Sequence, residues 1–340
     1  MAAARPSTSV RSDRPQGTRP LEILSQDEEP LFRANFNRHP FPLTHRVGNH
    51  PLFAIPRLID LAQFLSKLEL PGRVTIFTDD ANVSQGWNRS TRPGARAEEC
   101  LQNIQGSHSW LVMKDVQKHD DFRCLIDQFV AELEQIVARP LRSLSSWINA
   151  DIFVASPGMV TPYHIDHDVN FLLQVHGEKT VNLFDPGDRE ILAEEDIEQY
   201  YIGNHNAAKF REGAQSKAKV FALRPGIGVH QPTLAPHWVR VGGEYSVSIA
   251  ILFFLHDLDR RAKVYQFNHY LRRIGVRPTP PGQSIVRDCI KQLILSDLGH
   301  PKYKQQALRF ALEKYKAPLS VAKAGLKRLA KSGLKRLRAR

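Results

Sequence analysis

At 340 residues the chain is long enough for one large domain or two modest ones, and 42% apolar with 24% charged residues is the balance of a folded globular protein. No run of about 18 apolar residues occurs, which excludes a membrane-spanning helix, and Cys100, Cys124 and Cys289, odd in number and far apart, exclude a disulfide framework or zinc site and fit a reducing, cytoplasmic compartment. The net charge of +12 suggests a nucleic-acid binder, but eight Lys or Arg and no acidic residue fall in residues 318–340, and the remainder, 39 basic against 35 acidic residues, is only mildly basic.

Residues 1–20, punctuated by Arg5, Pro6, Arg14, Pro15 and Pro20, lack hydrophobic periodicity and the apolar core of a secretory signal, and read as a disordered leader. Residues 21–145 read as an α/β part packing on a core. Leu58, Leu61, Phe64, Leu65 and Leu68 recur at helical spacing, and residues 73–78 and 110–116 read as strands with a short helix, 97–104, between them. An amphipathic helix is expected over 120–137, with Pro140 after its end. From 146 to 257 the pattern changes to short strands separated by Gly, Pro and Asp, interrupted by one helical insertion at 191–201. That grammar predicts an all-β core, an antiparallel jelly roll, flanked by N- and C-terminal helices. Helices return at 258–273, 284–295 and 304–315, within a C-terminal part spanning 258–317. The tail 318–340 reads as a short basic amphipathic helix if ordered, suited to nucleic acid, an anionic membrane or an acidic protein, or else as a frayed solubilising end. It lacks the aromatic residues that stack on bases.

The segment from Thr161 to Pro186 carries the most specific chemistry. On an extended chain His164 and Asp166 point to one face and can converge on one ion. A third ligand, His237, begins the strand pattern HWVRV, and a late antiparallel strand can return it to an early one. Two imidazoles and one carboxylate form a facial triad for non-haem iron with open positions. A second His-x-Asp triplet, His119-Asp120-Asp121, sits where helix 120–137 starts and reads as its cap. Asp168 is a rival carboxylate and His230 a rival distal ligand; His176, at a turn tip, reads as solvated. A Lys at the position of Lys179 is ordinarily a solvated edge charge. Here it opens the strand after the triad's first two ligands, beside which a buried cation needs an anion such as a dicarboxylic co-substrate.

Thr161, His164, Asp166, Asn170, Lys179 and His237, within the stretches 154–185 and 223–253, resemble the Fe(II)- and 2-oxoglutarate-dependent oxygenases of the JmjC and cupin-like group. The local spacing is similar to that of the asparaginyl hydroxylase acting on hypoxia-inducible factor. The resemblance covers roughly 146–254. It implies that His164, Asp166 and His237 bind Fe(II), that Lys179 and Thr161 hold the distal carboxylate of 2-oxoglutarate, and that Asn170 helps hold the co-substrate. Oxygen and 2-oxoglutarate would then be consumed, with succinate and carbon dioxide released, to hydroxylate a protein side chain or other sizeable substrate. Many relatives carry an aromatic residue before the distal His, where this chain has Pro236, and no second co-substrate ligand stands out on residues 245–255. Alternatives are Nε-methyl-lysine demethylation, a non-catalytic metal-binding protein that docks on an acidic partner through its basic tail, and a metal-dependent isomerase or hydrolase. By analogy with relatives, pairing of the C-terminal helices predicts a homodimer.

Overall fold

The computed structural model describes residues 22–68, 72–78, 81–86 and 96–296. The expected leader, the helix at 304–315 and the basic tail lie outside the described residues. The first half holds α1 (Glu29–Asn35), β1 (Phe41–Thr44), α2 (Ile55–Ser66), β2 (Val74–Phe77), α3 (Ala97–Gln102), β3 (Trp110–Met113), α4 (Asp120–Val137) and the single turn α5 (Leu141–Leu144). The strands β4 (Ser145–Ala155), β5 (Val160–His164), β6 (Val169–His176) and β7 (Lys179–Leu183) follow. After α6 (Glu194–Tyr201) come β8 (Lys219–Leu223), β9 (Ile227–Gln231), β10 (His237–Val241) and β11 (Ser246–Leu255), then α7 (His256–Arg273) and α8 (Ile285–Ser296).

All strand pairs are antiparallel, in a seven-stranded sheet ordered β1-β9-β6-β11-β4-β3-β2 and a four-stranded sheet ordered β5-β10-β7-β8. This is the expected jelly roll with helices on its flanks. The larger sheet is covered on both faces, which explains the continuous apolar runs of β6 and β11. Phe171, Leu173, Ile249, Ile251 and Phe253 face the helices, where they pack with Phe122, Phe129 and Leu133 of α4. The alternate residues Leu172, Ala250 and Leu252 face the four-stranded sheet and meet Val181, Leu183 and Val239. Asn149 and Asp151 of β4, Asn170 of β6 and Ser248 of β11 share this inward face by strand alternation, so polar groups enter the sandwich from an otherwise apolar sheet.

The helix expected at 120–137 is α4. His119 is its N-cap, accepting the Asp121 N–H on Nδ1 at 3.3 Å, so the second His-x-Asp triplet is a cap. The strand expected at 110–116 ends at Met113 because Asp115 turns into the left-handed region at φ 59°. The insertion expected at 191–201 becomes helical only from Glu194. Hydrophobic periodicity does not reveal β1, four residues containing Pro42. It is an edge strand, where a missing N–H costs no ladder bond. No helix among the described residues is long and apolar enough to cross a membrane.

His230 sits on the helix-facing side of β9, its ring 4.6 Å from that of Phe171 and 4.8 Å from that of Phe41. Its Nε2 accepts the Asn37 N–H at 2.9 Å and its Nδ1 donates to the Asn170 carbonyl at 3.2 Å, so the neutral ring is satisfied and has no lone pair to offer a metal. Burial pushes its pKa from 6.5 down to about 3. Below pH 6.5 the unfolded chain therefore takes up a proton that the folded chain refuses, and stability from this group falls with acidification toward pH 3. In urea titrations between pH 7 and 5, the unfolding free energy of the wild type should drop more steeply than that of His230→Gln, by up to about 1.4 kcal/mol per pH unit. Equal slopes would contradict this assignment.

Candidate metal centre and co-substrate pocket

Strand register brings the triad together. His237 of β10 pairs with His164 of β5, and their ring centroids are 4.0 Å apart. Asp166 lies just beyond β5. Its carbonyl accepts the Leu234 N–H at 2.8 Å, tying its loop to the segment that leads into His237. Leu234 takes a left-handed φ of 59°, a backbone strain held by its burial. His164 donates Nδ1–H to the Pro162 carbonyl at 2.7 Å, and His237 donates to the Ala235 carbonyl at 3.0 Å. These bonds fix both tautomers and leave Nε2 of each ring as an acceptor. The two Nε2 atoms stand 3.4 Å and 3.7 Å from Asp166 Oδ2, and all three ligand atoms lie within 4.8 Å of one another.

Burial alone would raise the Asp166 carboxyl, but the His164 and His237 imidazoles outweigh it and bring it down to about 2. Burial, with His164 beside it, holds the His237 imidazole down to about 4. Two imidazole nitrogens and a carboxylate facing one point form a cation site. Their number and hardness fit a divalent iron-type ion with open positions.

The triad lines a cavity of about 440 Å³ between the sheets, shared with Thr161, Asn170 and Lys179. Thr161 of β5 and Val181 of β7 flank Val239 of β10, and Lys179 opens β7 opposite Val241. Gly177 makes the crossing into β7: its φ is 68°, and a Cβ there would lie 2.2 Å from the Tyr245 carbonyl oxygen. Lys179 is 6% exposed and its Nζ donates to Ser248 Oγ at 2.7 Å. Among the described residues no carboxylate pairs with it, and burial pushes its pKa from 10.5 down to about 7. Asn170 donates Nδ2 to Gln231 Oε1 at 3.5 Å, while its buried Oδ1 has no partner.

All six residues singled out in the sequence therefore meet in one cavity, whereas His230 does not reach it. Asp168 lines the same cavity but lies outside the group of converging ligand atoms. Burial and then the Asp166 carboxylate raise it well above the usual range, and burial raises Asp151 to about 6. His176, expected to be solvated, is half-buried with its ring 4.3 Å from that of Tyr245. Ser248 and Asp151 escaped the sequence reading. The signal for Ser248 is present as small polar residues, Ser246 and Ser248, alternating with Val247 and Ile249; only the contact across the sandwich shows that Ser248 meets Lys179, while Ser246 accepts from Gln174.

A family model described as the Cupin-like domain matches residues 75–261, more than half of the chain. The fold is similar to a solved structure of Escherichia coli YcfD, with 14% identity over 86% of this chain and 73% of that one and a TM-score of 0.49. It is also similar to YcfD, a ribosomal oxygenase, in complex with cobalt and 2-oxoglutarate (14% identity, 82% and 69% covered, TM-score 0.45). A third similar structure is YcfD with cobalt and succinic acid (16% identity, 82% and 69% covered, TM-score 0.44). No curated protein matches the chain.

The unpaired Lys179 has a thermodynamic signature. Between pH 7 and 10.5 the unfolded chain holds a proton that the folded chain has released, so this group adds stability as pH rises. Wild type should gain up to about 1.4 kcal/mol per pH unit relative to Lys179→Met between pH 7 and 9, measured by urea unfolding. A parallel pH dependence in the two proteins would show that the ammonium is solvated or paired.

Proposed function

We infer, from the premise that this chain belongs to the Cupin-like domain family, that it is an Fe(II)- and 2-oxoglutarate-dependent dioxygenase hydroxylating a protein side chain or another sizeable substrate. The carrying observation is the Lys179 ammonium, enclosed with the triad and bonded only to Ser248 Oγ among the described residues. An unpaired buried cation calls for an anionic ligand, and a metal triad in the same cavity calls for one that can also reach the metal. A dicarboxylate meets both demands.

His164, Asp166 and His237 would hold Fe(II) through Nε2, a carboxylate oxygen and Nε2. Lys179 and Thr161 would hold the distal carboxylate of 2-oxoglutarate, with Ser248 orienting the Lys179 ammonium and Asn170 adding an acceptor beside the co-substrate. Iron with 2-oxoglutarate and dioxygen supplies an oxidant for C–H bonds and leaves succinate and carbon dioxide. The Pro162 and Ala235 carbonyls keep both imidazoles in the ligating tautomer. The apolar walls Leu172, Val239 and Leu252 exclude water around the reacting groups. Cys100, Cys124 and Cys289 are free thiols, in keeping with a cytoplasmic setting.

Purified protein with Fe(II), ascorbate and 2-oxoglutarate should release succinate slowly even without its prime substrate. Asp166→Ala should abolish both metal binding and succinate release, and Lys179→Ala should raise the 2-oxoglutarate requirement by about tenfold or more. Absence of succinate together with absence of any 2-oxoglutarate-dependent thermal shift would refute the oxygenase reading.

A further inference from the structure

Each imidazole of the triad is aimed by its own Nδ1–H, bonded to the Pro162 carbonyl for His164 and to the Ala235 carbonyl for His237. The Asp166 carboxylate has no such support. Among the described residues its hydrogen-bond and ion-pair partners are the two triad imidazoles alone. Asp166 also stands beyond the last residue of β5, in the crossing 165–168 that leads to β6, so no ladder bond of the strand holds it. What directs this third ligand is therefore the conformation of the crossing itself.

The crossing is pinned at His167, the next residue. Its Nε2–H donates to Asp259 Oδ1 of α7 and its Nδ1 shares a hydrogen with Tyr201 Oη of α6, both at 2.9 Å. Its carbonyl accepts from Thr233 Oγ1 at 2.6 Å, beside the bond from the Leu234 N–H to the Asp166 carbonyl. The helices that receive the ring are themselves locked together. Arg272 of α7 grips Glu198 of α6 through Nε and Nη2, each at 2.9 Å, and the Glu198 side chain is 1% exposed. Tyr201 stacks on the fully buried Tyr265 of α7 at 5.7 Å between centroids.

We infer that His167 is a positioning residue of the metal centre: it ties the crossing to α6 and α7 so that Asp166 presents its carboxylate to the ion. The inference rests on the reading of the triad as a metal site and extends that site to helices outside the jelly roll. Asp166 lines the cavity while His167 does not, so the ring is held on the helical side and its neighbour is turned to the other. Stability alone gives a weak account of this arrangement, because an ion pair with a partner as exposed as Asp259, at 37%, contributes little to folding. Groups that stand behind a metal ligand set its affinity for the ion, typically by about ten- to a hundredfold.

Titration of the full chain with Mn(II), the free ion being read by EPR, tests this without turnover. His167→Leu, which keeps the bulk and loses both ring nitrogens, and Asp259→Ala, at a partly exposed position, should each weaken Mn(II) binding at least about tenfold. His167→Gln, whose amide still donates toward Asp259, and Asp259→Asn, whose carbonyl still accepts from His167, should each stay within about threefold of wild type. Ile136→Val, which trims the buried core of α4, should lower the urea midpoint and leave Mn(II) affinity unchanged. Wild-type affinity in both His167→Leu and Asp259→Ala, no recovery in either conservative variant, or an equal weakening by Ile136→Val would overturn the inference. Wild-type protein that binds no Mn(II) refutes the metal reading of the triad itself, a result distinct from any of these.

Discussion

An ammonium group enclosed between two β-sheets, with a single hydroxyl as its hydrogen-bond partner among the described residues and the Phe153 ring 5.9 Å away, is the constraint on which the rest of this structure depends. Withdrawing Lys179 from water disfavours its charge, and Ser248 Oγ, a neutral acceptor, compensates only in part. A fold keeps such a residue without an acid beside it when a ligand brings the missing charge. The opposite imbalance lies in the same cavity, where three metal-ligating atoms converge within 4.8 Å of one another. The triad lacks a cation, which a metal ion would supply, and Lys179 lacks an anion, which the far end of a dicarboxylate chelating that ion would supply, so their proximity makes the two imbalances a single functional statement.

The jelly roll produces this pairing through register. β10 is flanked by β5 and β7, so one strand aligns His237 with His164 on one side and carries the ladder to Lys179 on the other. The larger sheet contributes through alternation. Its strands turn Phe171, Ile249 and Phe253 toward the helices and Asn170, Ser248 and Asp151 toward the cavity. Burial on both faces lets this sheet bear polar groups inside without exposing an apolar surface outside.

Much of this was legible in the residues. The strand grammar after residue 146, helix 120–137 and the six site residues followed from periodicity, turn chemistry and a resemblance carried by motif spacing. Local signals failed where tertiary contacts decide. β1 is four residues with a proline, and only its ladder with β9 makes it a strand. His230 and His237 both stand in strands with turn residues nearby; the face each occupies separates a core imidazole from a ligand, and that depends on which strands pair. Ser248 and Asp151 reach the cavity from strands far from the motif in sequence, so spacing along the chain could not single them out. Asp168 shares the Asp166 neighbourhood as alternation suggests, but does not join the converging ligand atoms.

The most direct test of the account is a crystal structure of the protein grown with Mn(II) and 2-oxoglutarate under anaerobic conditions. The account predicts a metal ion bound by Nε2 of His164, a carboxylate oxygen of Asp166 and Nε2 of His237. It also predicts a dicarboxylate bound to that ion, with its far carboxylate against Lys179 Nζ. A metal held elsewhere, or a triad occupied while Lys179 remains without an anion, would contradict it.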